Sequence, residues 1–458
     1  MHEYNERTPI FPRYAMNPNL QIFLNRKVPF HRVPTNMDRI YEEEYNQSRE
    51  YYTPADLPSI SRLLRPRNRS LFLLISGIFL VFLLLFILFR GSEDAESYPK
   101  MEEPQTSPSI KLQAQTLGVP KQNVKAALTK YLESIDVHEP IPDDVNSVKP
   151  HHIRVIGAMG DSLTIGSRAQ NFFEEFTQRY PGNAFFTGMD SEIDGHLTVY
   201  NIFRVIANET GSKLFGGSTG IDYGEHTGFN VAVSGMKSDD IPRQAKDLVE
   251  RITAVPEIDV SKDWKLVSLW IGTNDVGTLG YRLEPPIPVE VYKSKIEEGL
   301  AYLKEHLPRT IVSIVGMFPA QLLQEAQSIL TTGKRARDVE NQKKLDSLSD
   351  AYRRASFEIQ NEGKFNSKEF TVVVQPFATE YDTAYIDTIG NYNSSFYAVD
   401  LFHLSKLGHS VLAKHYWQNL FEPVGKKTTK AELGDTSPHI FELNKDNSFI
   451  KTVGNSND

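Results

Sequence analysis

The sequence predicts an α/β fold in which a mainly parallel sheet carries helices on both faces. Three observations predict it. Short runs rich in β-branched and apolar residues, at 153–158, 229–233, 265–271, 310–316 and 370–374, read as buried strands. They alternate with helical patterns at 239–251, 288–306, 339–360 and 406–420, the order that builds parallel sheets. Side chains capable of chemistry recur where these strands run out, which is the rim where open α/β sheets bind ligands.

The elements follow in chain order. Residues 1–70 carry recurrent prolines (Pro9, Pro12, Pro18, Pro54), mixed charge and no lasting apolar period, the composition of a disordered tail. Residues 71–89 carry no charged side chain. A helix of that length is about 28 Å long, close to a bilayer core, so the run reads as a transmembrane helix. It is too long, and begins too far along the chain, for the core of a signal peptide. Arg62, Arg65, Arg67 and Arg69 crowd its N-terminal flank, whereas Arg90 is followed by Glu93, Asp94 and Glu96. The positive-inside rule therefore predicts a type II single-pass protein with a cytosolic N-terminus and a lumenal or extracellular remainder. Two glycosylation acceptors, Asn208 and Asn393, fall on that outer side, while those at Asn46 and Asn68 fall on the cytosolic side. Residues 90–145 read as a stalk with one amphipathic helix pattern near 122–135. The folded domain is expected at 146–425, and 426–458 reads as a polar extension lying over it.

Composition narrows the chemistry. The net charge of −8 gives no reason to expect a nucleic-acid partner. The chain has no cysteine, which removes disulfides, thiolate metal sites and a cysteine nucleophile together.

The most informative stretch is Gly160-Asp161-Ser162-Leu163. A buried strand stops there, and a helical pattern follows through Tyr180. A serine at such a junction can be exposed as a nucleophile beside free backbone N–H groups. Alone it would equally suit a helix cap, so partners decide. One strand ends at Ser234-Gly235, another at Gly272-Thr273-Asn274. Asp400 stands three residues before His403, just ahead of the last helix. Serine needs an imidazole to take its proton, and an unperturbed histidine titrates near 6.5. His403 suits that task and Asp400 would orient it. The Ser162 and Gly235 N–H groups and the Asn274 amide would hold the oxyanion. Asp161 and Asp275 are expected to support loops. His151, His152, His409 and His415 are assigned no chemistry. A G-x-S-x-G elbow is excluded because position 164 is threonine.

Gly160-Asp-Ser-Leu163, Gly235, Gly272-Thr-Asn274 and Asp400-Leu-Phe-His403 resemble, in order, the four blocks of the GDSL, or SGNH, hydrolases. The runs at 149–164, 230–245, 370–377 and 422–428 resemble one branch in particular, the membrane-associated phospholipase B type. The resemblance implies a three-layer α/β/α sandwich, no metal, no organic cofactor, and hydrolysis of the acyl esters of phospholipids or lysophospholipids. The N-terminal anchor, the single hydrolase unit and the missing cysteines depart from the mammalian members of that branch, and leave substrate range open. Deacetylation of surface glycans by the same mechanism, and a catalytically silent surface module, are the rival readings.

Overall fold

The computed structural model describes residues 124–456, apart from 171–178, 281, 283, 321, 323–324, 326–338, 382–393, 399, 401 and 438. The run at 71–89 and Asn393 lie outside these residues. Among the described residues no helix is long and apolar enough to cross a membrane.

Four strands form the sheet: β1 (Ile153–Gly160), β2 (Trp264–Trp270), β3 (Thr310–Val315) and β4 (Phe370–Gln375). They pair in sequence order and all run parallel, with Gly160 opposite Trp270 and Val315 opposite Gln375. Both faces are covered, so the strands need apolar residues at successive positions rather than at alternate ones. Val155, Met159, Val267, Leu269, Val312 and Ile314 face one core. Ile156, Ala158, Leu266, Trp270, Ile311 and Val315 face the other.

Each core is closed by helices. The first face takes α4 (Ile241–Thr253), α5 (Val289–His306) and α6 (Val339–Asn361), through residues such as Leu248, Leu300 and Tyr352. The second takes α1 (Val124–Glu133), α3 (Val199–Thr210) and α7 (Lys406–Phe421), through Leu128, Phe203 and Trp417. The result is an α/β/α sandwich around a parallel sheet.

Four expectations change. The helix expected from Ser162 through Tyr180, of which 171–178 lie outside the described residues, is interrupted after a single turn, α2 (Ser162–Ile165). Gly166 ends it with φ 77°, a left-handed cap whose N–H returns to the Ser162 carbonyl. The strand expected at 229–233 runs beside β1, with Ala158 N–H donating to the Phe229 carbonyl at 2.9 Å and Val231 N–H to the Ala158 carbonyl at 2.9 Å. It forms only an isolated bridge at Asn230. Helix α3 has no counterpart in the sequence reading.

The fourth change concerns the domain boundaries. Val124, Leu128, Tyr131 and Leu132 of α1 are buried in the second core, as are Ile440, Leu443 and Ile450 near the C-terminus. Ile450 N–H donates to the Val148 carbonyl at 2.9 Å, which ties the two ends of the domain together. The packed unit therefore includes α1 and the C-terminal run as far as Ile450, and extends beyond 146–425 on both sides. The last part of the expected stalk and the expected extension supply core side chains that neither could bury alone.

Candidate active site

Strand β1 delivers Ser162 to the rim. Gly160 ends the strand at φ 154°, where a Cβ would come within 2.2 Å of the Trp270 carbonyl oxygen, so only glycine fits. Gln244 of α4 clamps this glycine on both sides. Its Oε1 accepts from the Gly160 N–H at 2.7 Å, and its Nε2 donates to the Gly160 carbonyl at 2.9 Å. Asp161 caps the following turn, Oδ1 accepting the Leu163 N–H at 3.0 Å. Ser162 is the first residue of that turn and is buried. Within the described residues neither the Ser162 N–H nor the Gly235 N–H donates to a protein group.

Asp400 and His403 come together on the loop before α7. His403 Nδ1 lies 2.6 Å from Asp400 Oδ2. The other oxygen, Oδ1, accepts the backbone N–H groups of Phe402 at 3.1 Å and His403 at 3.0 Å. Asp400 thus caps its own turn; the cap of α7 is Ser405, whose Oγ accepts from Gly408 at 3.2 Å. Burial works against the Asp400 charge. The neighbouring His403 and Arg168 outweigh it and hold the carboxyl well below the usual carboxylate range. His403 is pinned by its carbonyl, which accepts from the Ala398 N–H at 2.7 Å. Its Nε2 is buried and, among the described residues, has no hydrogen-bond partner, so no hydrogen bond joins it to Ser162.

Gly235 follows the extended run beside β1, and Asn274 follows the end of β2. Gly235 turns the chain at φ 77°. Asn274 Nδ2 donates to the Met236 carbonyl at 2.9 Å and lies 3.4 Å from Asp161 Oδ2, which links the Asn274 loop to the turn that carries Ser162. Arg282 Nη1 approaches the Gly235 carbonyl at 3.3 Å and Asn274 Oδ1 at 3.4 Å. Burial pushes the Asp161 carboxyl up to about 7 and the Asp275 carboxyl up to about 6. Asp275 accepts the Ser238 N–H at 3.0 Å, and its carbonyl accepts the Tyr352 hydroxyl at 3.0 Å. Both aspartates hold loops beneath the site.

The order of these blocks along one sheet rim has a counterpart in known sequences. Residues 156–416 match the family described as GDSL-like Lipase/Acylhydrolase. The chain belongs to that family. It is 30% identical to human membrane-associated phospholipase B1 over 329 residues, which cover 69% of this chain and 22% of the human protein. The rat protein of the same name is 30% identical over 331 residues, again 69% of this chain and 22% of the rat protein. The chain thus spans about a fifth of these relatives' length. Among solved structures, that of a candidate GDSL-like lipase from Parabacteroides merdae aligns with TM-score 0.33 and 18% identity. The alignment covers 60% of this chain and 97% of that one.

Two features of this GDSL-like chain escaped the sequence reading. The first is Arg168, a buried residue whose guanidinium pairs with Asp400 Oδ2 and lies 3.4 Å from His403 Nδ1. The second is an apolar cavity lined by Leu163, Trp270, Phe318, Phe396, Phe402 and Leu404, among others. Leu163 follows Ser162 in the chain, and Phe402 and Leu404 flank His403, so neighbours of both residues line the cavity. No local pattern marks either feature, because their parts are distant in sequence.

The remaining residues singled out from the sequence lie elsewhere. Asn208 is exposed on α3. His409 is buried in α7, where its Nδ1 accepts the Phe185 N–H at 3.1 Å, and His415 Nε2 pairs with the Glu432 carbonyl at 2.9 Å. His151 and His152 stand at the opposite end of β1. Each has Nε2 3.3 Å from Glu139 Oε1, a grouping of metal-ligand type. Its donors do not fit a metal. The Lys149 N–H donates to His152 Nδ1 at 3.1 Å, which puts the proton of the neutral ring on Nε2. The Lys149 ammonium also sits 2.8 Å from the same Glu139 oxygen. Lys149 thus sets a donor on one ring and a cation on the carboxylate that a metal would have to share.

Proposed function

We propose that this chain is a membrane-anchored serine esterase that hydrolyses the acyl esters of phospholipids or lysophospholipids. The observation that carries the reading is the Asp400–His403 pair, whose Nε2 has no partner among the described residues, with Phe402 and Leu404 on either side of His403 lining an apolar cavity. An imidazole oriented at Nδ1 by a carboxylate is a general base at Nε2. Ser162 gives its proton to that nitrogen and attacks the acyl carbonyl. The oxyanion that forms is held by the Ser162 and Gly235 N–H groups and the Asn274 amide. His403 then returns the proton to the leaving alcohol, and water, activated by the same ring, releases the fatty acid.

The cavity supports a long acyl chain over an acetyl group, since an acetyl ester would leave its apolar lining unfilled. The phospholipase B1 name of the relatives points the same way. The uncharged run at 71–89 and its arginine-rich N-terminal flank support a type II anchor, with the hydrolase outside the cytosol and Asn208 and Asn393 as acceptors of N-glycans. Tethering raises the local lipid concentration at the site.

A fluorophosphonate probe tests the nucleophile and a lipid panel tests the substrate. Wild-type protein is expected to label and to release fatty acid from lysophospholipid, and Ser162→Ala to do neither. Equal labelling of the two proteins overturns the mechanism. Turnover of an acetylated sugar in preference to every lipid overturns the substrate class.

A further inference from the structure

We infer that Arg168 is a positioning residue that holds Asp400 against His403 and sets the acidic limit of activity. The inference rests on the serine-esterase reading above.

The geometry is unusual for a residue so near the nucleophile. Gly166 ends the one-turn helix that Ser162 begins, and Ser167 N–H returns to the Ser162 carbonyl at 2.9 Å. This sharp reversal puts Arg168 at φ 59°, in the left-handed region that residues other than glycine seldom adopt. Such a conformation persists where the surroundings hold the side chain. Here the side chain is buried, and its guanidinium meets the Asp400 oxygen that also faces His403 Nδ1. Asp400 therefore has donors on both oxygens: two backbone N–H groups on Oδ1, and the imidazole and the guanidinium on Oδ2. A carboxylate held from both sides cannot rotate away from the ring.

The same contact has an electrostatic consequence. When the ring accepts the serine proton, it becomes an imidazolium beside a fixed guanidinium, both drawing on one carboxylate. Among the described residues His409 of α7 is a further titratable group near the ring; burial pushes it down to about 3, so it stays neutral and adds no charge. Arg168 is thus the positive charge that opposes premature protonation of the base in acid, while Asp400 supports the protonated ring that catalysis requires. The segment that carries the nucleophile also carries this charge, so both halves of the site are coupled through one ion pair.

The test is the pH profile of kcat/KM with a soluble acyl ester, measured for wild type, Arg168→Lys, Arg168→Met and Arg168→Gln. Removal of the charge is expected to move the acidic limb up by about one pH unit, with plateau kcat lower by about tenfold. Arg168→Lys keeps the charge and is expected to keep the limb. Arg168→Gln retains amide donors for Asp400, so it carries the test if Arg168→Met does not fold. A residue that only filled space would lower activity equally at every pH. Wild-type turnover with an unmoved limb in Arg168→Gln overturns this inference alone. A wild type with no esterase turnover overturns the esterase reading, and this inference with it.

Discussion

His403 and Asp400 are joined side chain to side chain at 2.6 Å and backbone to side chain at 3.0 Å, through the two different oxygens of one carboxylate. The three-residue spacing permits both contacts at once. The turn that brings the ring to the carboxylate is capped by the same carboxylate, so orientation of the base and closure of the loop are a single event.

Asp400→Asn separates these roles. The amide oxygen can still accept the two backbone N–H groups, but it cannot balance an imidazolium. The variant is expected to lose on the order of 10³–10⁴ in kcat and, because the buried Arg168 guanidinium loses its carboxylate, to melt at a lower temperature than wild type while remaining folded. Ester turnover beside a thermal melt checks it. Loss of activity by less than about tenfold would remove Asp400 from the mechanism.

Asn274→Ala removes one donor from the oxyanion set. The expected result is a fall in kcat of about 10²–10³ with little change in KM, because the developing charge needs the amide more than the bound ester does. Steady-state kinetics on one acyl ester decides it. A rise in KM alone would mean that Asn274 contacts the substrate but not the oxyanion.

Ala378 lines the apolar cavity, and a phenylalanine there would fill part of it. Ala378→Phe is expected to lower kcat/KM for long-chain esters by about tenfold or more, while leaving short-chain esters within about threefold. A chain-length series of p-nitrophenyl esters gives the comparison. A uniform fall across the series would show that the cavity does not receive the acyl chain.

Asp275 makes stability depend on pH. Its ordinary value is 3.8, and burial pushes it up to about 6 in the folded state. The folded protein therefore binds more protons than the unfolded chain within that window, and this carboxyl's contribution to stability is lost as pH rises from about 4 to 6. In Asp275→Asn that decline is absent. Urea unfolding of both proteins should reveal a difference in favour of the variant that grows across the window, on the order of 2–3 kcal/mol, and then levels off. A difference independent of pH would mean that Asp275 is ionised in the folded protein at acid pH.

The sequence by itself determined the sheet strands, five of the helices, and the five residues proposed for the chemistry. These are local signals. A β-branched run, a glycine at a strand end, and an aspartate three residues before a histidine each fit within one turn or one strand, so the sequence displays them directly.

Only the tertiary structure decided that α1 and the C-terminal run join the core, where the turn that begins at Ser162 stops, and what surrounds His403. Leu128 and Ile450 are far apart in sequence and share one core. Arg168 meets a carboxylate 232 residues away. The cavity takes its walls from β2, α7 and several loops. Each of these depends on which faces pack together, and burial between segments distant in sequence leaves no periodicity in either one. The sequence could name the residues proposed as base, orienting acid and nucleophile. The arginine beside Asp400 and the apolar cavity exist only once the sheet has been covered on both sides.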